Sequence, residues 1–374
     1  MRLVIDCFKL VKGQGKSLGI YSLTKSLVRH LAEDISGSQE IVVLGNKYNR
    51  GDFSGKGIRF LEMKGDPLDK KYLAFWELIY VNRILKLVRA DRVLFPRGFR
   101  PLFCRVPDTV IVHDLIPFYY HDRFPGYLNR IENAYIMWRL RMSIQRADTV
   151  ITVSEYTKAD ILKRFKLAAM RKNRIFAIQN GVNDMEPSAM EAARVARKTA
   201  KAYISAITSP MPHKNAAGIL KAYEAYYRMA ENPLPLMIVG IDETEAYYPE
   251  MDAEAAQHVG CISYIKQYDH ICRFIGASRA FLFLSRAEGF GFPPVEAMQL
   301  GVPVVCSDSW SLPEVCGDAA IMVPVDDAKA AAKALDDILT DEHKAHDLIN
   351  RGLANVARFS WNSRSKLYRQ ILFR

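Results

Sequence analysis

A chain of 374 residues with 49 % apolar side chains is long enough for two domains with full-sized cores. No stretch reads as an uncharged apolar span of about 18 residues, so no transmembrane helix is indicated. The net charge of +11 is uneven: residues 1–190 hold 32 Lys and Arg against 19 Asp and Glu, a balance of +13, while residues 191–374 hold 20 against 22, a balance of −2. A basic first half faces something anionic, and with no nucleic-acid motif beside it a membrane surface or an acceptor phosphate is favoured over nucleic acid.

The six cysteines, at 7, 104, 261, 272, 306 and 316, have no C-x-x-C spacing. They read as reduced cytosolic thiols and not as a disulfide frame or zinc site. The N-terminus reads as a strand over 2–8 and not as a signal peptide, which predicts a cytoplasmic protein. Gly13 to Tyr21 forms a glycine-bearing loop leading into a helix at 20–33. Gly15-Lys16-Ser17 suggests a P-loop, but that motif needs a glycine where this chain has Leu10. Strand-like runs recur at 40–44, 58–63, 92–95, 109–113, 149–153 and 174–178, with helical stretches between several of them. The alternation predicts a mostly parallel sheet with helices on both faces.

In 70–89 a helical projection puts Lys71, Asn82, Lys86 and Arg89 on one narrow face, with nearly everything else apolar or aromatic. Two readings stand: a helix packed into the fold, or a membrane-surface helix with a basic face. The helix at 127–146, with Trp138, Arg139, Arg141 and Arg146, raises the same pair. His113 and Asp114 end an apolar strand, where open α/β sheets bind ligands. Ser154 reads as the N-cap of a helix at 155–166. Asn180 to Asn183 is a turn closing the first domain, 1–190, and the polar, Ala/Arg-rich 184–200 reads as the connection to a second domain at 200–358.

The second half predicts strands at 202–208, 236–239, 261–265, 281–284 and 302–306, helices at 215–230 and over 328–358, and a last amphipathic helix at 359–373. Its centre is Arg286 to Glu296 (Arg-Ala-Glu-Gly-Phe-Gly-Phe-Pro-Pro-Val-Glu), set between an apolar run at 280–285 and a short helix at 295–301. Gly289 and Gly291 let the backbone approach a ligand, and amides of the turn and helix start suit an anion such as a phosphate. Glu288 and Glu296, seven residues between them, can each accept two hydroxyl hydrogens from a sugar. Lys214, at a strand-to-helix junction, offers a compact positive charge.

The run from Ser285 to Val305, continued through Ser307 to Val315 and Gly317 to Ala320, resembles the signature of retaining glycosyltransferases of the GT-B fold, in the large family-four group. The resemblance implies two Rossmann-like doubly wound α/β domains with a C-terminal helix, 359–374, returning to the first. It implies a nucleoside-diphosphate sugar as donor, mannose-type favoured, a glycan or lipid-linked acceptor, no cofactor and no metal. By the same resemblance Glu288 holds the sugar, Lys214 the diphosphate, His113 the sugar from the first domain, and Glu296 the ribose. Gly15, Gly289, Phe290 and Gly291 face the phosphates, and Tyr264 and Ile265 seat the base. Where the family often carries an Arg, this chain has Ser209, and His213 stands for the Arg of an Arg-Lys-Asn variant. Two other readings are a glycosidase using Glu288 and Glu296 as its acid and nucleophile, and a non-catalytic nucleotide-sugar-binding or membrane scaffold protein.

Overall fold

The computed structural model describes residues 1–12, 18–182, 185, 187–199 and 201–374. Its chain divides into two units, Met1–Gly181 with Phe359–Arg374, and Val182–Arg358. Gly15 and Asn183, singled out above, lie outside the described residues.

The first unit is built on seven parallel strands: β1 (Arg2–Asp6), β2 (Glu40–Gly45), β3 (Ile58–Glu62), β4 (Arg92–Phe95), β5 (Asp108–Val112), β6 (Thr149–Thr152) and β7 (Ile175–Ala177). Their order is β3-β2-β1-β4-β5-β6-β7. The chain winds outward from β1 to β3, then returns to the other side of β1, so the winding reverses between β1 and β4. β5 is buried at every position and β1 at its three central ones, as expected of strands covered on both faces.

Val4, Val42, Val93, Val110 and Val150 point into one core with Trp76, Leu85 and Phe165. The 70–89 region is not one regular helix. It runs as an α-helix Lys70–Phe75, a π-helical turn Trp76–Tyr80 and an α-helix Val81–Leu87. The extra residue of the π turn re-aims the side chains, sinking Leu73, Trp76, Val81 and Leu85 into the core. The packed reading therefore describes one face, while Phe75, Ile79 and Leu87 stay exposed on the other.

The C-terminal helix Trp361–Leu372 belongs to this unit. It lies against the helix Leu18–Glu33, where the Trp361 and His30 rings stack at 5.5 Å. Gly181 admits the same indole: a Cβ there would meet Trp361 Cδ2 at 2.3 Å.

The second unit holds six parallel strands: β8 (Ile204–Ile207), β9 (Leu236–Val239), β10 (Val259–Ile262), β11 (Ala280–Phe283), β12 (Val304–Ser307) and β13 (Ile321–Val323). Their order, β10-β9-β8-β11-β12-β13, repeats the winding of the first sheet, with its reversal between β8 and β11. The three-residue edge strand β13 was not anticipated from sequence; it is too short to show a hydrophobic period.

The division falls after Gly181, and the stretch expected as an interdomain connection is largely a helix, Pro187–Thr199, of the second unit. Its Ala and Arg content favours helix. The Arg197 guanidinium donates to the carbonyls of Gly276, Leu300 and Gly301 at 2.6–2.8 Å, satisfying two helix C-termini at once. The region 328–358 is two helices, Ala328–Thr340 and Glu342–Val356.

Candidate functional site

In an open parallel sheet, the loops leaving the carboxyl ends of the strands part where the winding reverses, and ligands bind in that gap. In the second unit these are the loops after β8 and β11. They carry Lys214 and Glu288, and the structure joins the two: Lys214 Nζ donates to Glu288 Oε1 at 2.6 Å. The pair is mostly buried, with 27 % of the lysine side chain and 11 % of the glutamate exposed.

The β8 loop is held by its own polar groups. The short 3₁₀ turn Pro212–Lys214 ends at Asn215, which sits in the left-handed region (φ 56°). Asn215 Nδ2 donates to the carbonyls of Leu284 and Val325, and its Oδ1 accepts from Arg286. Thr208 Oγ1 donates to the carbonyl of Lys214 at 3.0 Å. The carbonyl of His213 accepts from Arg286 N at 2.7 Å and Ser285 Oγ at 3.0 Å, lashing the two loops together. His213 itself is buried.

The β11 loop is turned by serines at alternate positions. Ser307 Oγ donates to the carbonyl of Ser285, and Ser309 Oγ to that of Arg286, each at 2.6 Å. Ser311 Oγ donates to the carbonyls of both Glu288 and Phe290, at 2.9 and 3.0 Å. In a trans peptide the N–H points opposite to the C=O. Drawing the carbonyls of Glu288 and Phe290 towards Ser311 therefore turns the amides of Gly289 and Gly291 away from it. Neither amide donates to a group among the described residues. Gly291 has φ 96°, and a Cβ on it would lie 2.5 Å from Leu312 Cδ2, so glycine is required twice over.

The helix that follows, Phe292–Gln299, starts three residues earlier than the sequence suggested, so Pro293 and Pro294 fall inside its first turn and bring no N–H. The free N–H groups here therefore belong to the loop more than to the helix start. Glu296 lies in that helix and accepts a hydrogen bond from Tyr268 Oη at 2.9 Å. Burial raises the Glu296 carboxyl above the usual carboxylate range, and the tyrosine bond partly opposes this. Arg286, beside the loop, is tied to Asp326 at 2.6 Å.

β10 ends at Ile262, so Tyr264 and Ile265 lie in the following loop and not in the strand expected at 261–265. Tyr264 is exposed and Ile265 half-buried. His113 follows β5 in the first unit. Its Nε2 lies 2.7 Å from the carbonyl of Pro96, and burial pushes the imidazole down to about 4. The ring is therefore neutral near pH 7, with its proton on Nε2.

Lys214, Glu288, Gly289 and Gly291 are thus gathered at one reversal point, with Glu296 in the helix that follows. Sequence reasoning missed Ser311 and Tyr268. Ser311 carried no periodic signal, because the chain leaves the strand after Ser307 and passes through a left-handed Trp310 before reaching it. Tyr268 carried no signal, because its bond to Glu296 is made across 28 residues.

Two family descriptions match the two halves of the chain: Glycosyltransferase Family 4 over residues 19–186, and Glycosyl transferases group 1 over residues 191–354. The chain belongs to the group 1 glycosyltransferases. Among curated relatives of this glycosyltransferase, the O-antigen chain mannosyltransferase B of Escherichia coli is 27 % identical over 303 residues, 76 % of this chain and 80 % of that protein. The O-antigen chain mannosyltransferase RfbU of Salmonella typhimurium is 27 % identical over 288 residues, 74 % of this chain and 75 % of its own. Among solved structures, Anabaena Alr3699/HepE in complex with UDP-glucose superposes with a TM-score of 0.71, covering 100 % of this chain and 99 % of its own at 15 % identity. The two Rossmann-like sheets are those of the GT-B fold. Among the described residues, no helix is long and apolar enough to cross a membrane.

Proposed function

We propose that this glycosyltransferase moves a hexose from a nucleoside-diphosphate sugar, GDP-mannose or a UDP-hexose, to a glycan acceptor carried on a lipid, in the synthesis of a bacterial surface polysaccharide. The observation that carries the donor side is the Lys214–Glu288 pair beside the two unbonded glycine amides. The sugar and the product class are drawn from the relatives, two of which are named as O-antigen mannosyltransferases.

The chemistry follows from the charges. The diphosphate approaches the amides of Gly289 and Gly291 and draws the Lys214 ammonium from Glu288. Glu288, released, accepts hydroxyl hydrogens of the sugar. The bond between the anomeric carbon and the phosphate oxygen breaks, and negative charge grows on the diphosphate, where the ammonium and amides stabilise it. The acceptor hydroxyl bonds to the same face of the sugar, and its proton passes to the departing phosphate. The configuration is retained, and neither metal nor cofactor is required. The loop with Tyr264 and Ile265 holds the base. The protein works at the cytoplasmic face of a membrane.

A thermal-shift panel of UDP-, GDP- and ADP-sugars tests the donor, since a ligand that binds only the folded state raises the melting point. A shift with GDP-mannose or a UDP-hexose is expected. No shift with any nucleotide sugar would sink the reading. Turnover unaffected by EDTA, with product carrying the donor's anomeric configuration by NMR, tests metal independence and retention.

A further inference from the structure

Glu296 lies one turn into the helix Phe292–Gln299. Helical side chains lean towards the amino end, so its carboxyl reaches back towards the loop that carries the Gly289 and Gly291 amides. Its Oε1 accepts from Tyr268 Oη at 2.9 Å. Its Oε2 accepts from no group among the described residues and is not sealed off from solvent. No cation stands beside it: burial and the tyrosine bond account for its shifted pKa.

The donor of that bond comes from a separate element. Tyr268 opens the helix Tyr268–Gly276, shortly after the loop residues Tyr264 and Ile265. Its ring is 46 % exposed, yet its hydroxyl is tied to Glu296. Desolvation at the hydroxyl, and next the Glu296 charge, raise its pKa, so it remains a donor near neutral pH. The elements packed against the Glu296 helix are Tyr268–Gly276, Leu312–Cys316, Glu342–Val356, β11 and β12. Among the described residues only the first brings titratable groups to Glu296: Tyr268 itself and Cys272, whose thiol burial pushes up to about 11 and so keeps neutral.

We infer that Tyr268 is a positioning residue for the donor: its hydroxyl fixes the Glu296 carboxylate so that both oxygens accept from the adjacent hydroxyls of the nucleotide's ribose. The inference rests on the reading that Glu296 meets that ribose. An ionised carboxylate has about four lone-pair sites. The tyrosine takes one on Oε1, which leaves one there and two on the open Oε2 for a pair of neighbouring hydroxyls. A protonated carboxyl has fewer sites and presents its own O–H to the pair. Burial pushes Glu296 towards that form, and the tyrosine bond is the interaction that opposes it. A tie that merely joined two helices would leave ribose recognition unaltered when cut.

The experiment is calorimetric titration of the full chain with GDP, UDP and their 2′-deoxy forms between pH 5.5 and 8. Wild type is expected to bind its preferred ribonucleotide about thirtyfold more tightly than the deoxy form, the scale of a hydrogen bond to a charged group. Tyr268→Phe keeps the ring and should lower that ratio to about fivefold at pH 7. As pH falls, the ratio declines because Glu296 takes up a proton. Tyr268→Phe moves the decline to higher pH, since losing the bond raises the carboxyl further. The diphosphate titrates alike in both ligands and cancels in the ratio, as does any change in the folded fraction of a variant. Glu296→Gln should give a low ratio that no longer changes with pH. No binding of any of the four nucleotides would overturn the donor reading itself. Equal binding of ribose and deoxyribose forms by wild type would overturn the ribose reading of Glu296, and the inference with it. A clear wild-type preference that Y268F leaves unchanged in size and pH profile would overturn the inference alone. So would tighter ribonucleotide binding by Y268F, which would make the tyrosine a competitor for the carboxylate.

Discussion

The two sheets are wound alike, yet their reversal points are finished differently. Beside the end of β4 in the first unit, Arg97 meets Glu77 at 2.7 Å, with 16 % and 11 % of the side chains exposed, and Arg139 approaches the same glutamate. Asp6, at the end of β1, accepts from Trp76 Nε1 and Phe8 N, and burial pushes it up to about 6. These charges are spent on one another. In the second unit the loops also meet in an ion pair, Lys214–Glu288, but beside it two amides turned away from Ser311 donate to no group among the described residues. One ion pair finishes a structure; the other, on the function proposed above, is half of an equilibrium that a diphosphate tips. What separates them is the backbone around each pair, since the carbonyls that Ser311 captures decide where the amides point.

The comparison is broken most directly by removing one charge from each pair. Lys214→Met or Glu288→Gln is expected to lower sugar transfer by about a hundredfold or more, the scale of losing a transition-state charge contact. Arg97→Met leaves Glu77 without its main counter-charge and should cost about 3 kcal/mol of stability by chemical denaturation, while the melting shift given by the donor nucleotide persists. Near-wild-type transfer by both Lys214 and Glu288 variants would mean that the second pair, too, is merely structural.

The outward amides can be tested next. Gly291→Val forces a branched side chain into a left-handed backbone and against Leu312, at an expected cost of about 2 kcal/mol, and should abolish the nucleotide-induced melting shift. Ser311→Ala is the milder probe. It releases the carbonyls of Glu288 and Phe290, so the glycine amides lose their fixed direction, and nucleotide affinity should fall about tenfold with a smaller change in stability. Unchanged affinity in S311A would show that the serine clamp does not position the amides.

The sequence made the two parallel sheets legible because their strands are short apolar runs punctuated by turn residues. It made Lys214, Glu288 and Gly291 legible because strand end, glycine and helix start fall close together along the chain. The elements it hid share a different cause. The π turn at Trp76–Tyr80 depends on one extra residue within a helical period, which the period itself cannot display. The Pro187–Thr199 helix was obscured by its polar composition, though Arg197 binds three carbonyls far along the chain.

The smallest expected effect concerns the first unit and sharpens the claim that its charges balance internally. His113 is held neutral by burial, with a folded-state pKa of about 4 against an ordinary value near 6.5. A depressed histidine makes stability fall as pH falls, because the unfolded chain takes up the proton first. Asp6 has the opposite sign: its folded pKa is raised to about 6, so the native state binds the proton first and stability rises as pH falls from about 6 towards its ordinary value. Between about pH 6.5 and 5.5 the two contributions nearly cancel. His113→Gln keeps a donor for the Pro96 carbonyl and removes only the titration. Over that interval the variant should gain about 1 kcal/mol relative to wild type, measured as the difference between paired denaturant curves. Asp6→Asn should shift the difference the other way. Parallel pH profiles for wild type and H113Q would show that the imidazole titrates in the folded protein as it does in water, and that the first reversal point is more open to solvent than the second.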